Sequence, residues 1–365
     1  MKNKYLCRPR IYPVDLKKNM KVTDLVDVYT CSGSFQGGRL AEACAIFERM
    51  LNDPDVCIGL TIAGAMIPAG MGGAIIALMK QGFVDWIIST GANLYHDLHF
   101  ALDLPVHQGS FRVDDTELLR HKIERIYDIF ITEDLLLKTD HFVKNITRNA
   151  PFTEPVSTSQ LHHFLGKAVC EQTPRPERSL LATACRLDIP VFTSSPADSS
   201  IGMNLAEHKL QGRRGITIDP DLDVLESCAY VAESRKNGVI ILGGGSPKNF
   251  YLQTQPMIWQ IIGGEQRGHD YDIQISTDSP QWGGLSGATP SEAVSWGKVN
   301  PKRLSSSVVV HCDATIAFPV LAGYILSRTA KKPLKRLYRH RDTFLKRFRT
   351  RCDEWIRTRK YTPER

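Results

Sequence analysis

Short runs rich in valine and isoleucine alternate along the chain with longer segments whose apolar residues return at helical spacing. The runs are Val56–Ala63, Asp85–Thr90, Pro190–Ser195, Gly215–Asp219, Gly238–Gly243, Tyr271–Thr277 and Ser307–Asp313. Most are nearly continuous in apolar residues, which is how strands covered on both faces of a parallel sheet read. Between them the spacing predicts helices over Ala69–Lys80, Pro220–Arg235, Pro247–Ile262 and Ala314–Arg328. This alternation predicts an α/β fold, an open, doubly wound, mostly parallel sheet with helices on both faces. Residues 1–330 carry no repeat, low-complexity segment or linker, and are expected to form a single domain. Residues 331–365 read differently. After Pro333, Leu334, Leu337, Tyr338, Phe344, Leu345, Phe348, Trp355 and Ile356 recur at roughly helical spacing among many cations, predicting a basic amphipathic helical tail.

The 365 residues are 42% hydrophobic and 23% charged, which excludes disorder, collagen and coiled coil as the main state. The net charge of +7 is uneven. Residues 331–365 hold fourteen Lys and Arg against four acids, a balance of +10, which leaves residues 1–330 at −3. A nucleic-acid surface on the core is therefore not expected. The tail could meet acidic membrane or nucleic acid, or dock its apolar face on its own protein or a sister subunit.

No apolar stretch reaches membrane-spanning length, and the N-terminus lacks a secretory pattern, so a cytoplasmic protein with no membrane partner is expected. The nine cysteines are scattered without a CxxC pair, so they are expected to be reduced thiols, with no disulfide framework and no metal site.

In such a sheet ligands sit at the carboxyl ends of the strands, and several motifs fall there. Gly243-Gly244-Gly245 follows the run Gly238–Gly243 and leads into a helix whose free N–H groups could meet an anion; a tight strand-to-helix turn explains it as well. In GGLSGATPSEAVSWGK, Gly283–Lys298, a Gly-rich loop opens a short helix that ends near Gly297 and leaves Lys298 beside Trp296. A lysine against an aromatic wall can lose its proton and form an imine with a carbonyl or iminium carbon. A solvated lysine favoured by the helix dipole is the alternative. His96 follows a strand end, but local hydrogen bonding on a helix face would account for it. Asp198 and Asp313 also follow strands, where a carboxylate could bind ribose hydroxyls or simply cap a helix. The chain has no HExxH, Walker loop or G-x-S-x-G elbow, which disfavours metalloprotease, P-loop ATPase and ordinary serine hydrolase.

Taken together, EAVSWGK (Glu292–Lys298), FQGGRL (Phe35–Leu40), AGAMIPAGM (Ala63–Met71), STGANLYHDL (Ser89–Leu98), ILGGGSPKNF (Ile241–Phe250), ISTDSPQWGGLSGATPSEAVSWGK (Ile275–Lys298) and CDATIAFP (Cys312–Pro319) are similar to deoxyhypusine synthase over most of residues 20–328. TGAN-x-x-HDL and GGLSGAT resemble the archaeal and bacterial branch. The resemblance implies a Rossmann-like, NAD-dependent transferase, usually a homotetramer with active sites shared between paired subunits. It would move a 4-aminobutyl group from spermidine or a related polyamine to an amine acceptor. Hydride would pass to NAD, the Lys298 amine would attack the resulting iminium and release 1,3-diaminopropane, and the acceptor would then displace Lys298 as the hydride returned.

By the same resemblance the cofactor residues would be Gly64, Ala65, Met66, Ile67, Pro68, Thr90, Gly91, Ala92, Asp198, Gly244, Thr277, Asp278, Asp313 and Ala314. The amine pocket would be Gly283, Gly284, Leu285, Glu292, Trp296 and catalytic Lys298, with His96 at its edge. Glu292 supplies a counter-charge and Trp296 a cation–π surface for a polyamine. The sequence departs from the eukaryotic pattern in this pocket. His96, Asn249 and Leu285 stand where that branch has a glutamate, a histidine and an aspartate, and a further pocket aspartate aligns near Met203. Fewer carboxylates attract a long polycation less strongly. The acceptor could be the lysine of a hypusine-type translation factor or, as in homospermidine synthase, a free amine; a non-catalytic NAD-fold binding protein is the reading from another class.

Overall fold

Six strands assemble as one parallel sheet in a computed structural model that describes residues 6, 9–212 and 215–358. In chain order, with the strands of a second sheet included, they are β1 Val56–Ile62, β2 Trp86–Ser89, β3 His107–Gln108, β4 Ile123–Ile126, β5 Ile129–Thr132, β6 Val191–Phe192, β7 Lys236–Leu242, β8 Tyr271–Ile275 and β9 Ser307–Val310. The large sheet runs β6-β2-β1-β7-β8-β9, every neighbouring pair parallel. The order reverses between β1 and β7, so the loops after these two strands flank the crevice where such sheets hold ligands.

Side chains alternate across the sheet and divide the interior in two. Ile58, Leu60 and Ile62 of β1, Ile240 and Leu242 of β7, and Ile273 and Ile275 of β8 join the core formed with helices Phe35–Asn52, Gly72–Lys80 and Ala314–Arg328. Cys57, Trp86, Ile88, Val239 and Ile241 face the other way, onto helices Pro220–Glu233 and Gly245–Leu252. Helices therefore cover both faces, as the apolar runs predict.

Several boundaries differ from the sequence reading. Gly215–Asp219 is not a strand; it makes a single bridge, Ile218 to Val156. Its partner cannot extend the ladder because Ser157 already caps the helix Thr158–Gln172, while Asp219 caps Pro220–Glu233. The helix predicted over Pro247–Ile262 breaks into Gly245–Leu252, a turn at Thr254–Pro256 and a π-turn at Met257–Ile262, since Pro256 has no N–H to continue the ladder. The start of Ala69–Lys80 is likewise a π-turn, Ile67–Met71, in which Gly70 takes φ +86°. A small antiparallel sheet, β3-β5-β4, was not foreseen.

The tail forms the helix Arg341–Thr358 and docks on its own chain. Leu337 and Phe348 are buried in the second core, with Phe344, Leu345 and Trp355 packed against it. Its cations meet acids of the core: Lys335 with Asp85 (2.7 Å), Arg336 with Asp188 (2.9 Å), Arg341 with Glu226 (2.8 Å) and Arg351 with Glu233 (2.6 Å). The uneven charge of the two parts is thus partly an internal match. Residues 359–365 of the tail, and Cys7, lie outside the described residues. Among the described residues no helix is long and apolar enough to cross a membrane.

Candidate active site

Two glycine-rich loops meet at the ends of β7 and β8. Gly243 and Gly245 take φ of +77° and +57° as the chain turns from β7 into the helix Gly245–Leu252. A Cβ on Gly244 would come within 2.5 Å of Ser286, so the loops approach as closely as bare backbone allows. Ser286 Oγ accepts a hydrogen bond from the Gly245 N–H at 2.9 Å. This juxtaposition brings Lys248 and Asn249, early in the helix, against the segment 283–298.

Lys298 is aimed by the way its helix ends. Thr289 caps Pro290–Ser295 by accepting from the Glu292 N–H at 3.2 Å, and Pro290 occupies the first helical position, where no donor is needed. Gly297 then takes φ +67°, with its N–H bonded to Val294 O and the Lys298 N–H to Ala293 O. A Cβ on Gly297 would lie 2.5 Å from Gln266 Nε2 and 2.7 Å from Trp259 Nε1, so this turn demands glycine twice over.

The Lys298 side chain enters a cavity of about 270 Å³ lined by Asn249, Gly283, Gly284, Leu285, Glu292 and Trp296, among others. It is half-buried rather than fully solvated. Its Nζ donates to Asn249 Oδ1 at 2.9 Å and lies 5.6 Å from the centre of the Trp296 ring. Asn249 Nδ2 donates to Gln253 Oε1 at 3.0 Å, which fixes the amide with its oxygen toward the lysine. Burial pushes the Lys298 amine below the usual lysine value, and the Glu292 carboxylate opposes that shift. A lysine so placed can release its proton and act as a nucleophile more readily than one in water.

Six of the seven residues expected around the amine are brought together here, and His96 is not among them. It sits on the helix Gly91–Ala101 with Nδ1 2.9 Å from His99 Nε2, and burial pushes its pKa down to about 4, so it is neutral near pH 7. The residues expected around a cofactor gather at the strand ends. Thr90 Oγ1 donates to Gly64 O at 3.1 Å, and Asn93 ties both loops by donating to Thr90 Oγ1 and accepting from the Ile67 N–H. Gly91 packs on the turn 198–199, where a Cβ would meet Ser199 at 2.5 Å. Gly244, Thr277, Asp278, Asp313 and Ala314 follow β7, β8 and β9. Asp313 caps the helix Ala314–Arg328, accepting from the Thr315 N–H at 2.7 Å, whereas the cap beside exposed Asp198 is Ser199. Space is open at Gly64, which takes φ +63° with no atom within 4 Å of a Cβ position.

The sequence reading missed the floor of the cavity: Lys248, Asp272 and Gln274, all at least nine-tenths buried. A signal existed. In YDIQI two polar residues stand at i and i+2 of a strand covered on both faces, so they share the face toward Gly245–Leu252.

Comparison with known proteins converges on one family. The family model described as DS, deoxyhypusine synthase, matches residues 24–325. The deoxyhypusine synthase-like protein of Cyanothece sp. is 45% identical over 349 residues, covering 92% of this chain and 86% of that one. The protein named probable deoxyhypusine synthase 2 in Methanosarcina acetivorans is 38% identical over 322 residues, covering 87% and 90%. A crystal structure of an Entamoeba histolytica protein assigned as a deoxyhypusine synthase aligns over 89% of this chain and 99% of its own, with a TM-score of 0.59 at 18% identity, a likeness of fold.

Proposed function

The chain belongs to the deoxyhypusine synthase family, and on that footing we propose that it is an NAD-dependent transferase moving a 4-aminobutyl group from spermidine or a related amine through an imine at Lys298. The observation that carries this reading is the Lys298 amine, held by Asn249 beside Trp296 in a cavity that lowers its proton affinity. Unprotonated, it adds to the electrophilic carbon of the oxidised donor. A new C–N bond forms at Nζ, the old C–N bond breaks, and the proton lost from Nζ leaves on the departing amine. The four-carbon fragment stays on Lys298 until the acceptor amine displaces it. Leu285 and the Trp296 ring present apolar surface to the methylene chain, and a second copy covering them would limit the water that otherwise hydrolyses the imine. Glu292 is the counter-charge for an ammonium.

NAD would lie over the crevice between β1 and β7, against Gly64–Pro68, Thr90–Ala92, Asp198, Gly244, Thr277, Asp278, Asp313 and Ala314. The open space at Gly64 and the exposed carboxylates of Asp198 and Asp313 suit a dinucleotide with ribose hydroxyls to bind. Bound there it supplies reversible hydride acceptance, so that the transfer is redox-neutral overall. The family resemblance implies a homotetramer, and Trp282 and Trp296, 75% and 60% exposed beside the cavity, are apolar surface that a second copy would cover.

The acceptor is either the lysine of a hypusine-type translation factor or a free diamine. Leu285 in place of a carboxylate bears on the donor rather than on this choice, since it leaves the cavity less attractive to a long polycation. Purified protein is incubated with NAD and spermidine labelled in its aminobutyl carbons, trapped with borohydride and digested for mass spectrometry. Label on the Lys298 peptide, lost in Lys298→Ala, is the expected result; label elsewhere or turnover in that variant overturns the reading.

A further inference from the structure

Lys248 lies on the floor of the cavity, 3% exposed, and is not accounted for by the transfer itself. Its Nζ donates to Gln274 Oε1 at 2.9 Å, Ala288 O at 2.6 Å and Ser286 O at 3.3 Å. Three acceptors engage three N–H bonds. A neutral amine has only two and would turn its lone pair on a carbonyl oxygen, so these acceptors favour the ammonium against the burial that pushes the Lys248 amine below the usual lysine value. Gln274 completes the fixture: with its oxygen on Lys248, its Nε2 donates to Gly243 O and Ser286 O at 2.8 and 2.6 Å.

The charged groups around this ammonium are few. Asp272 faces it from β8, Asp278 from the loop beyond, Glu292 from the helix Pro290–Ser295, and Lys298 from the turn after that helix. Asp272 is 2% exposed, and its Oδ1 has no hydrogen-bond partner among the described residues. Burial pushes its carboxyl up to about 6, with Lys248 pulling it back. The cavity thus holds two lysines, one locked and one facing the opening.

We propose that Lys248 is a positioning residue for Lys298: its ammonium bolts the wall 286–288 to the glycine-rich loop and, as a fixed positive charge in the same cavity, disfavours a second ammonium at Lys298. Repulsion between two ammoniums is one pairwise energy, so a charge that stays on Lys248 is felt at Lys298. Asp272 moderates that charge from beneath. The proposal rests on Lys298 being the nucleophile of the preceding section.

The test measures the proton affinity of Lys298 without donor or cofactor. Intact protein is reductively alkylated with butanal and cyanoborohydride over a range of pH. Labelling of the Lys298 peptide is normalised to that of an exposed lysine in the same digest. The expected midpoint for the native protein lies below that of the exposed lysine. In Lys248→Met it rises by about one pH unit, which is about tenfold less label at a fixed pH below the midpoint. In Asp272→Asn it falls, because the Lys248 charge is no longer offset, and in Lys248→Arg it stays near the native value. A packing defect alone would not move the two neutralising variants in opposite directions. Should Lys248→Met fail to give a cooperative melt, Lys248→Gln, which removes the charge and keeps polar contacts, carries the test with the same expected rise. Midpoints unmoved in folded variants overturn the proposal and leave the nucleophile intact; a native Lys298 that takes no label overturns the nucleophile instead.

Discussion

The amide oxygen of Asn249 accepts from Lys298 Nζ at 2.9 Å, and Gln253 decides which end of that amide the lysine meets. A neutral acceptor orients the amine without favouring its charged form as a carboxylate would. Asn249→Asp therefore places an anion within hydrogen-bond reach and raises the lysine pKa, a shift of about one to three units for such contacts. The expected outcome is a fall in rate of about tenfold or more near neutral pH, recovered as pH rises. Initial rates across a pH series check it, and a profile parallel to the native one would contradict it.

Glu292 acts on the same amine with the opposite sign to burial. Its removal in Glu292→Gln lowers the Lys298 pKa further. The reacting form is the unprotonated amine, so the rising limb of the rate against pH moves toward lower pH. Because Glu292 is exposed, its worth as a counter-charge for the donor is small, about 1 kcal/mol at most. KM for the amine donor should rise by no more than about fivefold. Measuring kcat and KM separately distinguishes the two effects, and a limb displaced upward would refute the assignment.

Gly297 is the hinge on which the lysine is presented. Gly297→Ala must hold a left-handed residue and push a methyl into Gln266 and Trp259. Strain of this kind costs about 1–3 kcal/mol. Thermal unfolding should show that loss. Turnover per folded molecule should fall as well, because relief of the clash swings Lys298 away from Asn249; unchanged turnover in a destabilised variant would mean the turn tolerates rearrangement.

The sheet and most of the lining of the cavity around Lys298 were legible because their signals are local. Val56–Ile62 and Lys236–Leu242 are buried on both faces and therefore apolar throughout, and the loop 283–298 carries its pocket residues in one stretch. Gly215–Asp219 misled because a β-rich pentapeptide says nothing about whether a partner has length to pair with it; Val156 did not. Lys248 was invisible as a site residue because a charged residue early in a helix normally reads as solvated. Its burial depends on Gln274 and on carbonyls about forty residues away in sequence, a relationship that no local pattern carries. His96 does not line this cavity within one chain, where the helix that bears it turns the ring to His99.

The docking of the tail can be tested at Arg341. Its side chain is 15% exposed and its guanidinium donates to Glu226, whose side chain is fully buried and also accepts from Ser157, Ser159 and Tyr230. An anion so placed depends on Arg341, the cation paired with it among the described residues, since hydroxyl donors alone do not replace the solvation it has given up. Arg341→Met should therefore cost about 3–5 kcal/mol, the loss expected when one partner of a buried pair is removed. Arg341→Met combined with Glu226→Gln removes the stranded charge and should recover part of that loss. The four unfolding curves of this cycle give the coupling between tail and core directly. Turnover per folded molecule should stay close to native in both single variants and the double, because neither residue lines the cavity around Lys298. If Arg341→Met unfolds like the native protein, the tail helix is not held by this pair. If turnover falls in step with the coupling energy, the tail contributes to the chemistry as well as to the stability of the chain.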